Sequence, residues 1–230
     1  MHKSGKQWRT ALAICLGSGL LATQSAAAPT HDSPRVKRIL VFGDSLSEGY
    51  LLRSKEAWPM LLVEKLREAG LPFEVVNSSQ SGGTSSGGLA RLPAQLKRRI
   101  DILILQLGIN DAFRGVPVTE IEANLQKIID RVREKNPAVQ IVIAGMQLPD
   151  SGENGYIRDF GQMYVDLATK NHGALVPYLL QGVGGNPALN LGDRIHPNAA
   201  GHKILAENVW AILEPIAREV AVKKTANASN

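Results

Sequence analysis

Cysteine is nearly absent: the 230 residues contain one, Cys15, and it lies in an apolar run near the N-terminus. The rest of the chain has no thiol, which excludes a disulfide framework, a zinc–cysteine site and a cysteine nucleophile. Ile14 stands before Cys15 where lipid attachment needs a small residue, which argues against a lipoprotein signal. No long Lys/Arg block with interleaved aromatics occurs, and this argues against nucleic-acid binding. No apolar run approaches the roughly 20 residues of a membrane span. The one Ser/Gly-rich loop lacks the Lys-Ser/Thr ending of a phosphate-cradling loop. No internal repeat is visible.

What is present begins with a leader. Lys3, Lys6 and Arg9 precede an apolar run from Ala11 to Ala22, and the small residues Ser25, Ala26, Ala27 and Ala28 follow. That order is expected of a secretory signal peptide. Pro29 disfavours a cut directly before it, so cleavage is expected after Ala27, with Ser25 and Ala27 as the small residues. Removing residues 1–27 leaves 23 basic against 21 acidic residues, a net charge of +2 instead of the full chain's +5. The basic character of the whole chain therefore comes partly from the leader and says little about partners. The expected organisation is a signal peptide over 1–27, a spacer over 28–36, one domain over 37–216 and a flexible tail over 217–230. A domain of that size buries about 70% of its unfolded surface and needs no metal or disulfide to fold.

Within the domain, strand and helix patterns alternate. Short apolar, β-branched runs at 37–42, 73–76, 102–107, 139–144 and 174–176 predict five strands, and the near-continuous I-L-I-L-Q-L at 102–107 predicts one buried on both faces. Helical spacing predicts helices at 58–68, 89–99, 119–134, 155–171 and 199–213. The third is amphipathic, with Ile121, Leu125, Ile128, Ile129 and Val132 on one stripe, and Thr119 with Glu122 fits a capping box. This alternation predicts an α/β fold: a three-layer α/β/α sandwich around a five-stranded parallel sheet. Functional groups are expected where strands end at the carboxyl edge.

Three strand ends carry unusual chemistry. Gly43-Asp44-Ser45-Leu46-Ser47 follows the first strand, and a serine on such a turn is exposed beside N–H groups that suit a developing anion. Ser45 acting only as a helix cap explains the same residues. Gly108-Ile109-Asn110-Asp111 ends the third strand; the Asn110 amide is a usable oxyanion donor, and an Asx-turn is its plainer reading. Asp193-Arg194-Ile195-His196-Pro197 precedes the last helix. A neutral His takes a serine proton when a carboxylate fixes its tautomer. Pro197 is expected at the first helical position, which would put the imidazole at the helix entrance. A surface His near a turn is the alternative for His196 alone. Ser81-Gly82-Gly83-Thr84 offers the Gly82 N–H, or is simply a flexible loop. His172 and His202 have no comparable neighbours and read as surface or packing residues.

The blocks G-D-S-L-S, S-G-G-T, G-I-N-D and D-R-I-H-P, in this order from about Arg38 to Leu213, resemble the four blocks of the SGNH (GDSL-type) hydrolases. The stretch V-V-N-S-S-Q-S-G-G-T-S-S-G-G-L-A-R-L-P resembles the periplasmic thioesterase/lysophospholipase and arylesterase branch in particular. The resemblance implies a flavodoxin-like sandwich with Ser45 as nucleophile, His196 as general base and Asp193 as its orienter. It also implies an oxyanion hole of the Ser45 and Gly82 N–H groups and the Asn110 side chain, with Asp44 and Asp111 in support. Arg194 stands where related sequences often have Gly, and Ile109 where some do; both bear on substrate preference. The Gly-x-Ser-x-Gly pattern is missing around Ser45, which counts against the α/β-hydrolase fold.

The implied activity is hydrolysis of carboxylic esters and thioesters, of acyl-CoA thioesterase, lysophospholipase or arylesterase type, without metal or organic cofactor. The expected partner is a small ester or thioester, lipid-derived in some cases, with no nucleic acid, no stable membrane anchor and a monomeric, periplasmic or secreted protein. The alternatives are a carbohydrate acetylesterase, or an inert lipid- or glycan-binding module on the same fold. The loops near 148–156 and 179–191 are expected to shape an acyl or aryl pocket.

Overall fold

The computed structural model describes residues 35–149 and 155–222. The expected signal peptide and most of the expected spacer lie outside the described residues. Twelve elements matter for the site. They are β1 (Lys37–Gly43), α1 (Ser45–Glu48), α2 (Trp58–Glu68), β2 (Phe73–Asn77), α3 (Ser85–Arg91), β3 (Ile102–Gln106), α4 (Ile109–Phe113), α5 (Val118–Lys135), β4 (Gln140–Ala144), α6 (Gly155–Lys170), β5 (Ala174–Val176) and α7 (Ala199–Val222).

All five expected strands form, and they pair in parallel in the order β2-β1-β3-β4-β5. Ile39 to Phe42 of β1 and Ile102 to Leu105 of β3 are essentially inaccessible to solvent. These runs do not alternate with polar residues because helices cover both faces of the sheet. Helices α2 and α7 pack together on one side, and α3, α5 and α6 form the other layer. All five residues of the predicted α5 stripe are buried. This is a three-layer α/β/α fold. Strand order reverses between β1 and β3, and in such sheets the crevice at the reversal, beyond the strands' carboxyl ends, is where ligands bind.

Several local expectations are corrected. Helix α5 begins at Val118 with Pro117 in the cap position, and no side chain caps it. Thr119 is thus already helical and the Thr119–Glu122 capping box does not form. The helix expected at 89–99 starts earlier, at Ser85, where the Thr84 hydroxyl accepts from Gly87 N at 3.0 Å. It gives way to a 3₁₀ segment at Leu92–Lys97, because Pro93 has no N–H with which to extend the α-helical ladder. Helix α7 runs past its expected end at Leu213 and through Pro215 to Val222. Ala217 and Val220 are buried, so the first residues assigned to the tail belong to the folded body; those after Val222 lie outside the described residues. Pro197 is not the first helical residue. Asn198 caps α7, its Oδ1 accepting from Ala200 N at 3.0 Å and Gly201 N at 3.1 Å, and Pro197 instead bridges to Asn190 in an antiparallel pair.

Candidate active site

Strand β1 ends at Gly43, directly beside Gln106 at the end of β3. A β-carbon on Gly43 would stand 2.7 Å from Gln106 Oε1 and 2.8 Å from Ser47 Oγ, so only glycine allows this approach. The chain then turns into α1. Asp44, not Ser45, is the helix cap: its Oδ1 accepts from Leu46 N at 3.0 Å. The helix-cap explanation of Ser45 therefore falls. Ser45 occupies the first helical position, where its N–H lies outside the intrahelical ladder.

Gln106 was not singled out by the sequence, yet it organises this turn. Its Nε2 donates to Asp44 Oδ2 at 3.0 Å, and its Oε1 accepts from Ser47 Oγ at 2.7 Å and Asp44 N at 3.2 Å. Both Asp44 and Gln106 are fully buried. Burial pushes the Asp44 carboxyl up to about 7, against the pull of its bonds from Leu46 N and Gln106. Arg91 clamps the same strand end: Nη2 donates to Gly43 O at 2.8 Å, and the guanidinium lies 3.9 Å from the Phe42 ring centroid.

His196 reaches Ser45 from the far end of the domain. Its Nε2 is 2.9 Å from Ser45 Oγ, and its Nδ1 is 2.7 Å from Asp193 Oδ2. The spacing of three works because Asp193 Oδ1 accepts from the N–H groups of Ile195 at 2.9 Å and His196 at 3.0 Å, which closes the turn. The His196 backbone bond comes first and its side-chain bond second among the causes that pull the Asp193 carboxyl down to about 2. The segment is held by Leu191 N to His196 O at 2.7 Å and Asn198 N to Leu189 O at 2.9 Å. The Tyr50 ring lies against the imidazole, centroids 4.5 Å apart and tilted 39°. Tyr50 carried no sequence signal, since it lies outside every block.

Asn110 lies in α4, which the sequence reading did not anticipate, so its plainer reading as a strand-ending Asx-turn is replaced by a helical position. Its Nδ2 donates to Gly83 O at 3.1 Å, which uses one of the two amide protons. Asp111 is buried and accepts from Ser85 N at 2.8 Å and Ser85 Oγ at 2.7 Å, tying α4 to the start of α3. Gly82 has φ +70° and its carbonyl accepts from Arg114 Nη2 at 3.2 Å. Ser45, Asn110 and His196 line one cleft of about 570 Å³, whereas Gly82 is not among the residues lining it. The cleft's walls are mainly apolar, with Leu46, Ile109, Phe113, Met146, Leu148 and Ile195 among them. From the expected pocket loops, Leu148, Pro149, Leu180, Gly184 and Gly185 reach it; residues 150–154 lie outside the described residues. His202 is buried and accepts from Trp58 N at 3.0 Å through Nδ1, a packing role, while His172 is exposed.

The arrangement can pass a proton from a serine hydroxyl to an imidazole whose other nitrogen faces an ionised carboxylate, beside an amide N–H donor and a mainly apolar cleft. Among the described residues, no group of three or more His, Cys, Asp or Glu is placed to hold a metal ion.

Residues 41–204 match the family described as GDSL-like Lipase/Acylhydrolase. Over 206 residues the chain is 38% identical to Esterase TesA of Pseudomonas aeruginosa, covering 89% of this chain and 97% of that protein. Over 198 residues it is 34% identical to Thioesterase 1/protease 1/lysophospholipase L1 of Escherichia coli K12, covering 86% of this chain and 89% of that one. A crystal structure of TesA superposes with a TM-score of 0.74 at 38% identity, over 78% of this chain and 99% of that chain.

Proposed function

The chain belongs to the GDSL-like lipase/acylhydrolase family and is a carboxylic ester hydrolase, and from that premise we propose a two-step acyl transfer through Ser45, His196 and Asp193. His196 Nε2 takes the Ser45 proton as Oγ attacks the carbonyl carbon. The tetrahedral oxyanion is held by the Ser45 N–H and Asn110 Nδ2, from residues that line the cleft, and the family resemblance adds the Gly82 N–H, from the loop that meets Asn110 at Gly83 O. His196 returns the proton to the leaving oxygen or sulfur, the acyl group stays on Oγ, and water repeats the attack to release the acid. Asp193 keeps the proton of the neutral imidazole on Nδ1, and Asp44 and Asp111 order the two turns. The observation that carries this reading is the continuous relay from Asp193 Oδ2 through His196 to Ser45 Oγ, with contacts of 2.7 and 2.9 Å.

The substrates are esters and thioesters with an apolar acyl or aryl group, since the mainly apolar cleft of about 570 Å³ far exceeds what an acetyl group fills. The apolar lining argues against the polar sugar of the acetylesterase alternative, and the intact relay argues against the inert binder. The relatives named esterase and thioesterase/lysophospholipase fit the same substrate range. Among the described residues no helix is long and apolar enough to cross a membrane. The protein is exported to the periplasm or beyond, loses residues 1–27 and acts as a monomer.

The deciding experiment is a p-nitrophenyl ester series of increasing acyl length on the mature protein, with Ser45→Ala as control. The variant should lose at least about 10³-fold in kcat/KM while keeping its fold, and a fluorophosphonate probe should label Ser45 in the wild type alone. Near-wild-type hydrolysis by Ser45→Ala would refute the mechanism.

A further inference from the structure

Arg194 occupies the turn that carries Asp193 and His196, and its backbone is left-handed, with φ +61°. Glycine adopts that region freely, whereas a residue with a β-carbon is strained there. The side chain is therefore held at a position where local structure favours its absence. It lines the active-site cleft together with Ser45 and His196. Among the described residues, no aspartate or glutamate lines that cleft. The adjacent carboxylate of Asp193 is already engaged, accepting from two backbone N–H groups through Oδ1 and facing His196 through Oδ2. Among the described residues the Arg194 guanidinium has neither an ion-pair nor a hydrogen-bond partner, and only its backbone N–H is used, donating to Leu191 O at 2.9 Å.

We propose that Arg194 recognises a phosphate on the leaving group of the substrate. The inference rests on the assignment of Ser45 and His196 above. The acyl group has the apolar walls formed by Met146 and Leu148 available to it. The leaving group departs toward His196, which protonates it, and Arg194 precedes His196 by two residues on the same turn. A guanidinium offers a planar fork that matches phosphate oxygens, and one without an internal partner gives up no existing contact on binding an anion. Two kinds of ester carry such a phosphate: a nucleotide thioester and a lysophospholipid.

The test compares substrates that share the acyl group and the scissile bond and whose leaving groups carry or lack phosphate. Octanoyl-CoA is paired with octanoyl-N-acetylcysteamine, and octanoyl lysophosphatidylglycerol with mono-octanoylglycerol. In Arg194→Gly the charged-to-neutral ratio of kcat/KM should fall about five- to tenfold in at least one pair, as loss of one charge-assisted contact in a partly exposed cleft predicts. Arg194→Lys should keep most of the ratio, and the affected pair names the source of the phosphate. Arg194→Gly relieves the strained backbone, so its melting midpoint should be at or above that of the wild type. Binding of octanoyl-CoA to Ser45→Ala, with and without Arg194→Gly, reads the same contact without turnover. Arg194-dependent binding with no hydrolysis by the wild type would sink the catalytic assignment and leave the anion contact standing. Ratios and binding that ignore the substitution, whether rates fall together or not at all, overturn the proposal.

Discussion

Asn110 illustrates how one side chain can be prepared for charge that does not yet exist. Its amide has two protons; Gly83 O takes one at 3.1 Å, and in the proposed mechanism the other is left for the oxyanion. A donor of this kind contributes only when the carbonyl oxygen becomes tetrahedral, so its removal acts on kcat more than on KM. Asn110→Ala should lower kcat by about 10²- to 10³-fold with KM nearly constant; steady-state kinetics on one p-nitrophenyl ester measure both, and a rise in KM at constant kcat would assign Asn110 to binding instead. Asp193 shows the complementary case. Two backbone N–H groups and the imidazole hold its carboxyl down to about 2, so it stays ionised throughout the range in which a histidine titrates.

Between elements, the contact of α2 with α7 has a pH dependence of its own. Trp58 is the first helical residue of α2, and no side chain of its own segment caps the helix. His202 of α7 accepts from Trp58 N through Nδ1 at 3.0 Å instead. That bond needs a neutral imidazole. Burial, and secondarily the charge of His196, lower the His202 pKa from 6.5 to about 4. The unfolded chain binds the proton first, so this stabilisation is complete above 6.5 and is lost as pH falls through 4. Asp44 works in the opposite sense over nearly the same window, because burial raises its folded pKa to about 7 and the folded state takes up its proton first. The clean measurement is therefore the stability difference between wild type and His202→Gln. Urea titrations at about pH 7 and pH 4.5 should show it shrinking by about 2 kcal/mol on acidification. A difference that stays constant with pH would exclude His202 as the titrating group.

Across the whole molecule, a site assembled from Ser45, Asn110 and His196 depends on the sheet order. The sequence reverses direction through the sheet at β1 and β3, so the segments that follow those two strands meet over one crevice and the turn before α7 closes it. Every residue named in that geometry lies after the expected cleavage point at Ala27. Exported protein should accordingly begin at Ala28 and carry one chain per particle, both of which native mass spectrometry of the secreted fraction reads. A retained residue 1 or a dimer mass would contradict the expectation.

Strand and helix alternation, the α5 stripe and the four site blocks were legible in the sequence because each is a local pattern. Periodicity of 2 or 3.6 reports which face of an element is buried, and a short block carries its own turn chemistry, as Asp193 and His196 do across three residues. The same pattern does not say which strand lies beside which. That Gln106 meets Asp44 and Ser47, that His202 caps α2, and that Tyr50 covers His196 all follow from neighbours distant in sequence, and only the folded sheet decides them. The end of α7 belongs with these: the expected helix stops at Leu213, but packing of Ala217 and Val220 against the core carries it through Pro215 to Val222. The identity of the chemistry was written in the chain, whereas the scaffold that aims it, and the unpartnered Arg194 over the cleft, come from tertiary structure, because burial and pairing are properties of the assembled fold.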